Sequence, residues 1–151
     1  MNYPEDKALY GLEDTELATH PTVFEPGLCA DQVVLISGGG TGIGKAIAYL
    51  YARLGARVII CGRRAEPLAE TAAGIRGACG AEVITQAMTI RDPDQVAELM
   101  ALVWEEHGGL DVLVNNAGGQ FAQDSLDYSV KGWRAVIDTN LNGTWYMMQQ
   151  Q

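Results

Sequence analysis

Short apolar runs alternate with longer amphipathic segments from Gln32 onward. Gln32–Ser37 and Arg57–Cys61 are nearly continuous apolar runs, which is the pattern of parallel strands buried on both faces. Glu82–Ala87 and Asp111–Asn115 have the same strand character. The pattern therefore predicts four strands between residues 32 and 115.

Segments with apolar residues at helical spacing separate these strands. The first ends before Gly55 and the second at Gly80, because a helix end favours a residue without a Cβ. Asp92 followed by Pro93 is typical of a helix start, since proline at the first helical position loses no needed donor. The predicted helices cover about 43–54, 68–79, 93–107 and 129–151, the last with a kink near Asn140–Gly143.

Strands that alternate with helices need crossover connections, which make the sheet parallel. The predicted class is α/β with a doubly wound, Rossmann-type sheet formed by residues 32–151. Residues 1–31 are polar, acidic and interrupted by prolines, so we expect an extension without helical or strand period. The last helix pattern has no stop signal, so we expect the domain to be incomplete after four strands, with one sheet edge and one helix face uncovered.

The net charge of −9 is concentrated near the start of the chain. Residues 1–31 hold seven carboxylates and one lysine, which leaves −3 for the other 120 residues. This distribution offers no basic stripe for nucleic acid or an anionic membrane. The chain also lacks an apolar run of membrane-spanning length and a secretory leader, so we expect a cytosolic protein. Three cysteines without paired spacing predict neither disulfides nor a metal site.

The first strand and first helix are joined by a glycine-rich turn. Glycines at 38, 42 and 44 let a diphosphate approach the unpaired N–H groups at the helix N-terminus without side chains in the way. A simple tight turn is the alternative, but the position between a buried strand and a helix favours nucleotide binding. The predicted contacts of the turn are Ser37, Gly38, Thr41, Gly42, Ile43 and Gly44.

Three motifs resemble the short-chain dehydrogenase/reductase family. The turn has the family's G-x-x-x-G-x-G spacing with Ser37 in the place of Thr, Asn115–Gly118 matches N-N-A-G, and Asn140–Gly143 matches N-x-x-G. The resemblance implies a nicotinamide cofactor, a small-molecule substrate and, for the full-length form, a homo-oligomer. It also implies cofactor contacts from Thr89, Ile90, Asn116, Ala117 and Gly118.

The end of the second strand predicts the choice of cofactor. A carboxylate there binds the ribose hydroxyls of NAD and repels a 2′-phosphate, but Gly62 stands where the family's NAD-selecting Asp falls. Arg63, with Arg64 as the weaker candidate, can meet the 2′-phosphate instead, which predicts NADP(H) over NAD(H). The alternative is that both arginines are solvated charges opening the second helix. Thr89 departs from the Asp that is usual near the adenine.

The family's proton relay uses a Tyr, a Lys four residues later, a Ser and an Asn. Asn140 matches the Asn, and we expect the other three beyond Gln151. Tyr128 and Lys131 are three apart and are interpreted as surface residues. We therefore expect the 151 residues to bind nucleotide without efficient hydride transfer.

The substrate remains open between two branches of the family. Asn116–Phe121 and Lys131–Trp133 resemble trans-2-enoyl-CoA and 2,4-dienoyl-CoA reductases, while bacterial citronellol/citronellal dehydrogenases resemble the same stretch. Three interpretations stand: part of a working NADP-dependent oxidoreductase, which we favour; a nucleotide-binding module without catalysis; and an interaction protein that has lost the ligand.

Overall fold

The computed structural model describes residues 12–120 and 122–151. No helix within these two ranges is both long and apolar enough to cross a membrane. A short 3₁₀ turn at Ser125–Asp127 and a π-helical segment at Asp138–Gly143 accompany the regular elements. These are α1 (Asp14–Thr19), β1 (Val33–Ser37), α2 (Gly42–Arg53), β2 (Arg57–Gly62), α3 (Ala65–Cys79), β3 (Val83–Ala87), α4 (Pro93–His107), β4 (Val112–Val114), α5 (Val130–Ile137) and α6 (Thr144–Gln149).

The four strands form one parallel sheet in the order β3-β2-β1-β4. Val34 pairs with Val58 on one side and with Val112 on the other, so β1 is a central strand, as the sequence predicted. The predicted doubly wound α/β class is therefore confirmed.

Alternate residues of the central strands enter different cores, because successive side chains point to opposite faces of a sheet. Val34 and Ile36 pack with residues of α2 and α3 on one face. Val33 and Leu35 pack with residues of α4 and α6 on the other. Burial on both faces explains why β1 is a continuous apolar run rather than an alternating one.

The expectation of no regular structure before the first strand is wrong for α1. Glu13 and Glu16 form a capping box at its start. At its end, the Arg53 guanidinium donates to the Leu17 carbonyl at 3.1 Å and to the His20 carbonyl at 2.7 Å. At its start, Asp14 pairs with Lys45 of α2. Six residues are too few for a periodic signal, and these contacts come from residues about thirty positions away. The part of the predicted extension before Leu12 lies outside the described residues.

The predicted kink near Asn140–Gly143 is present as the π-helical segment between α5 and α6. A Cβ at Gly143 would lie 2.7 Å from the Ile90 Cγ1, so only glycine lets this segment approach the turn after β3. The same helical stretch carries exposed apolar side chains at Trp133, Leu141 and Trp145.

Candidate functional site

A cavity of about 440 Å³ opens at the carboxyl end of the sheet. Its walls include one residue from each strand end: Gly38 follows β1, Gly62 ends β2, Met88 follows β3 and Asn116 lies just past β4. Ligands of open parallel sheets bind at this edge, in the crevice beyond the strand ends.

The turn between β1 and α2 is held in one conformation by close backbone contacts. Gly38 has φ +70° and its N–H donates to the Cys61 carbonyl at 2.8 Å. A Cβ at Gly44 would lie 2.2 Å from the Gly38 carbonyl oxygen, so the first turn of α2 lies directly against the loop. Lys45 N makes the first intrahelical bond, to the Thr41 carbonyl at 3.3 Å. The N–H groups of residues 42–44 come before it and have no intrahelical acceptor.

Ser37, beneath the cavity, and Asn116, in its wall, join the ends of β1 and β4. The buried Ser37 hydroxyl accepts from Asn116 N at 3.1 Å and Ala117 N at 3.0 Å, and donates to the Val114 carbonyl at 3.3 Å. The Asn116 amide donates back to the Ser37 carbonyl at 2.9 Å. Ser37 is therefore placed to fix the loop and does not line the cavity, although the sequence predicted a cofactor contact.

Three arginines line the cavity: Arg63, Arg64 and Arg91, all exposed. No Asp or Glu within residues 12–120 and 122–151 lines it. In a chain of net charge −9, this cavity therefore presents a local positive charge suited to a phosphorylated ligand. Sequence reasoning did not single out Arg91, although it directly follows the predicted contacts Thr89 and Ile90.

The turn after β3 forms a second wall. Thr89 is half-buried; its N–H donates to the Gln95 side-chain oxygen at 3.1 Å, and its hydroxyl accepts from Arg91 N at 3.4 Å. Asp92 caps α4 and also receives the Gln95 amide at 2.7 Å. The wall is thus fixed by its own side chains.

Asn140 lies in the π-helical segment and is exposed. Its amide makes two bonds to Gly119, accepting from the N–H and donating to the carbonyl, both at 3.0 Å. A Cβ at Gly118 would lie 3.1 Å from the Asn140 oxygen. The structure therefore brings Asn140 against the N-N-A-G loop, and its catalytic role stays a prediction.

The structure brings most of the predicted contacts together in one cavity. Ser37, Gly44 and Asn140 lie behind its surface or beside it, and Gly42 and Ile43 are exposed at the start of α2. The predicted residues that line it are Gly38, Thr41, Arg63, Arg64, Thr89, Ile90, Asn116, Ala117 and Gly118.

Two buried side chains with ionisable groups, Cys61 and Tyr49, are unsuited to proton or nucleophilic chemistry. Burial raises the pKa of the Cys61 thiol to about 12, so it stays neutral. Burial, with the nearby Asp14 carboxylate, raises the pKa of Tyr49, whereas a general base needs a lowered one.

The residues present fit a phosphorylated dinucleotide. Glycine at residues 38 and 44 lets the loop and the first turn of α2 pack closely, and the donor set consists of the Thr41 hydroxyl without a capping bond, guanidinium groups, and the N–H groups of the first turn of α2. This combination of a bare helix N-terminus and fork-shaped donors suits phosphates.

Comparison with known proteins gives the same result. The short chain dehydrogenase family matches residues 32–151. An uncharacterized oxidoreductase of Caenorhabditis elegans is 40% identical over 120 residues, which are 79% of this chain and 38% of that protein.

Solved structures are similar over the same region. The citronellol catabolism dehydrogenase of Pseudomonas aeruginosa PAO1 has a TM-score of 0.80 at 38% identity, covering 85% of this chain and 52% of that one. A metagenomic short-chain oxidoreductase in complex with NADP has a TM-score of 0.75 at 34% identity, covering 80% and 55%. This chain spans about half the length of these solved relatives. It belongs to the short-chain dehydrogenase family, whose members are NAD(P)-dependent oxidoreductases acting on small molecules.

Proposed function

We propose that this chain binds NADP(H) in preference to NAD(H), as the nucleotide-binding part of an oxidoreductase that transfers hydride between nicotinamide and a carbonyl, alcohol or enoyl-CoA substrate. The observation that carries the proposal is Arg63, which is exposed and lines the cavity directly after Gly62. A glycine there leaves no carboxylate to repel a 2′-phosphate. The complex of a similar protein with NADP supports this choice.

The diphosphate would be held by the turn after β1. Thr41 lines the cavity with a hydroxyl that makes no capping bond, and the N–H groups of the first turn of α2 follow it directly. Arg64, next to Arg63 in the chain, lines the same cavity and supplies a second cation. When bound, the nicotinamide supplies or takes up the hydride.

The protein's share of the chemistry is proton delivery, and the described residues hold little of it. None of the tyrosines in 12–120 and 122–151 lines the cavity. We therefore expect these 151 residues alone to bind nucleotide and to turn over substrate inefficiently. A nucleotide-binding module without catalysis is the second candidate, favoured by the engagement of both Asn140 amide atoms with Gly119.

The similarity to citronellol catabolism dehydrogenase makes small alcohols and aldehydes the first substrates to test, with enoyl-CoA thioesters second. A cytosolic location and a homo-oligomer belong to the same proposal. Turnover of these substrates by the chain would favour the first candidate; binding without turnover would favour the second.

Calorimetric titration with NADPH and NADH tests the cofactor preference. We expect NADPH to bind more tightly, and Arg63→Ala to weaken NADPH roughly tenfold or more, because a charge-assisted bond is lost, while NADH changes little. Arg57→Ala is the matched control, since Arg57 is exposed at the opposite end of β2. Equal affinities of the unmodified chain for the two dinucleotides would refute the role of Arg63.

A further inference from the structure

We propose that Arg91 and Thr89 make the base end of the cavity a hydrogen-bond-donating site, so that this chain binds the 6-oxopurine analogue of NADPH at least as tightly as NADPH itself. The inference rests on the proposed function. It concerns the purine base, which neither Arg63 nor the glycine turn is proposed to contact.

The base must lie near the turn after β3. It is carried by the same ribose as the 2′-phosphate that Arg63 is proposed to bind, so it lies within one sugar of that side chain. Met88 N donates to the Gly62 carbonyl at 2.9 Å, which puts the start of the turn after β3 beside the residue that precedes Arg63. Met88, Thr89 and Arg91 all line the cavity.

Arg91 is held in place by the helix opposite. Its Nε donates to the Thr139 hydroxyl, which in turn donates to the Ala135 carbonyl at 2.8 Å. Thr139 and Ala135 themselves line the cavity. The two terminal nitrogens of Arg91 make no hydrogen bond to any residue in 12–120 or 122–151, so their four N–H groups remain for a ligand.

Asp92 and Gln95, the carboxylate and amide acceptors near this wall, already accept hydrogen bonds and do not line the cavity. The Gln95 side-chain oxygen accepts from Thr89 N, and the Asp92 carboxylate accepts from Asp94 N, Gln95 N and the Gln95 amide. The Thr89 hydroxyl accepts from Arg91 N and keeps its proton to donate. No carboxylate from the described residues lines the cavity. At this wall Arg91 therefore offers a base only donors, and the Thr89 hydroxyl offers its proton.

Donors select the 6-oxo form of a purine. Adenine presents an amino donor at position 6, which pairs with Asn or Gln, whereas a 6-oxopurine presents two acceptors, O6 and N7, that match the fork of an arginine. Facing Arg91, the amino group of adenine meets another donor. The hypoxanthine base has the same size, and its O6 presents an acceptor to Arg91 instead.

The experiment titrates the 151-residue chain with NADPH and with nicotinamide hypoxanthine dinucleotide phosphate in its reduced form, and uses the ratio of the two Kd values. Because both Kd values are measured on the same protein sample, a partly unfolded sample affects them equally and leaves their ratio unchanged. We expect the analogue to bind as tightly as NADPH or more tightly. Arg91→Gln should shift the ratio roughly tenfold toward NADPH, because an amide pairs with adenine at N6 and N7.

Arg134→Gln is the matched control, because it also replaces one arginine by glutamine. Arg134 lies on α5 and does not line the cavity, so this substitution should leave the ratio unchanged. A tenfold preference of the unmodified chain for NADPH, or a ratio that Arg91→Gln leaves unchanged, overturns the inference while the proposed function stands. Failure of both dinucleotides to bind instead refutes the proposed function, and this inference with it.

Discussion

The turn between β1 and α2 and the helical segment from α5 to α6 use their side chains in opposite ways. Every residue of β1 is buried, Gly38 N is bonded to β2, and the Ser37 and Gly38 carbonyls accept from Asn116 in the loop after β4. Along α5 to α6, Leu141 and Trp145 are more than half exposed, and the edge strand β4 is only half-buried. The turn is thus completed by contacts within the described chain, whereas the helical segment presents apolar surface to solvent.

The difference predicts which substitutions should change the free energy of unfolding and which should change self-association. Close-packed backbone cannot move to accept a new atom, so small changes at the turn cost much. Exposed side chains of α5 to α6 contribute little to stability and more to association. Four measurements test this contrast.

The largest effect is expected from Gly44→Ala. The new methyl would lie 2.2 Å from the Gly38 oxygen and 2.5 Å from the Asn116 amide nitrogen. We expect a loss of about 3 kcal/mol in the free energy of unfolding and no measurable NADPH binding. Gly77→Ala in α3 is the control, since no atom lies within 4 Å of its added Cβ, and it should stabilise by up to about 1 kcal/mol. Equal effects of the two substitutions in urea unfolding would contradict the contrast.

The next effect is the loss of the Ser37 hydroxyl. Ser37→Ala leaves the N–H groups of Asn116 and Ala117 without their acceptor, which should cost about 2 kcal/mol. Ser129→Ala removes an exposed cap of α5 that accepts from Gly132 N, and should cost about 0.5 kcal/mol. Paired chemical denaturation checks this. A larger cost at Ser129 than at Ser37 would reverse the comparison.

A pH titration of the free energy of unfolding tests whether the Cys61 thiol on β2 is shielded from water. Burial raises the pKa of Cys61 from 9.0 to about 12, so the folded state holds its proton where the unfolded state releases it. The contribution of Cys61 to the free energy of unfolding should therefore be constant below pH 9 and fall above it, by at most about 1.4 kcal/mol per pH unit. Cys61→Ala should flatten this fall, while Val58→Ala, a buried neighbour without a titrating group, should leave it. An unchanged slope in Cys61→Ala would show that the thiol is hydrated.

The smallest effect on stability is expected on the exposed face. The double substitution of Leu141→Gln and Trp145→Gln should change the free energy of unfolding by no more than about 0.5 kcal/mol, because both side chains are over half exposed. It should also reduce the self-association expected of the unmodified chain, measured by light scattering. Association that persists unchanged would place the contact surface elsewhere.

Local pattern was enough to predict the sheet and the turn. The strands are short apolar runs, and the helices begin or end at Pro93, Gly80 and Gly108, all of which act through their own backbone. The kink at residues 140–143 was also predictable, since the family motif marks it.

Features that depend on distant residues could not be predicted in this way. The hydrogen bonds that occupy the Ser37 hydroxyl join residues 77 to 80 positions apart, so its place beneath the cavity is a tertiary property. The tether of Arg91 to Thr139 spans 48 positions. The helix α1 depends on Arg53 and Lys45 for its partners.

These partners of α1 decide where the chain can be shortened. The family match begins at residue 32, which invites an expression boundary there. Cutting at that point would remove the partners of Lys45 and Arg53 and uncover the cluster around Tyr49, all on α2, whose N-cap Thr41 lines the cavity. Crystallographers trimming the protein should keep the residues from Leu12 onward.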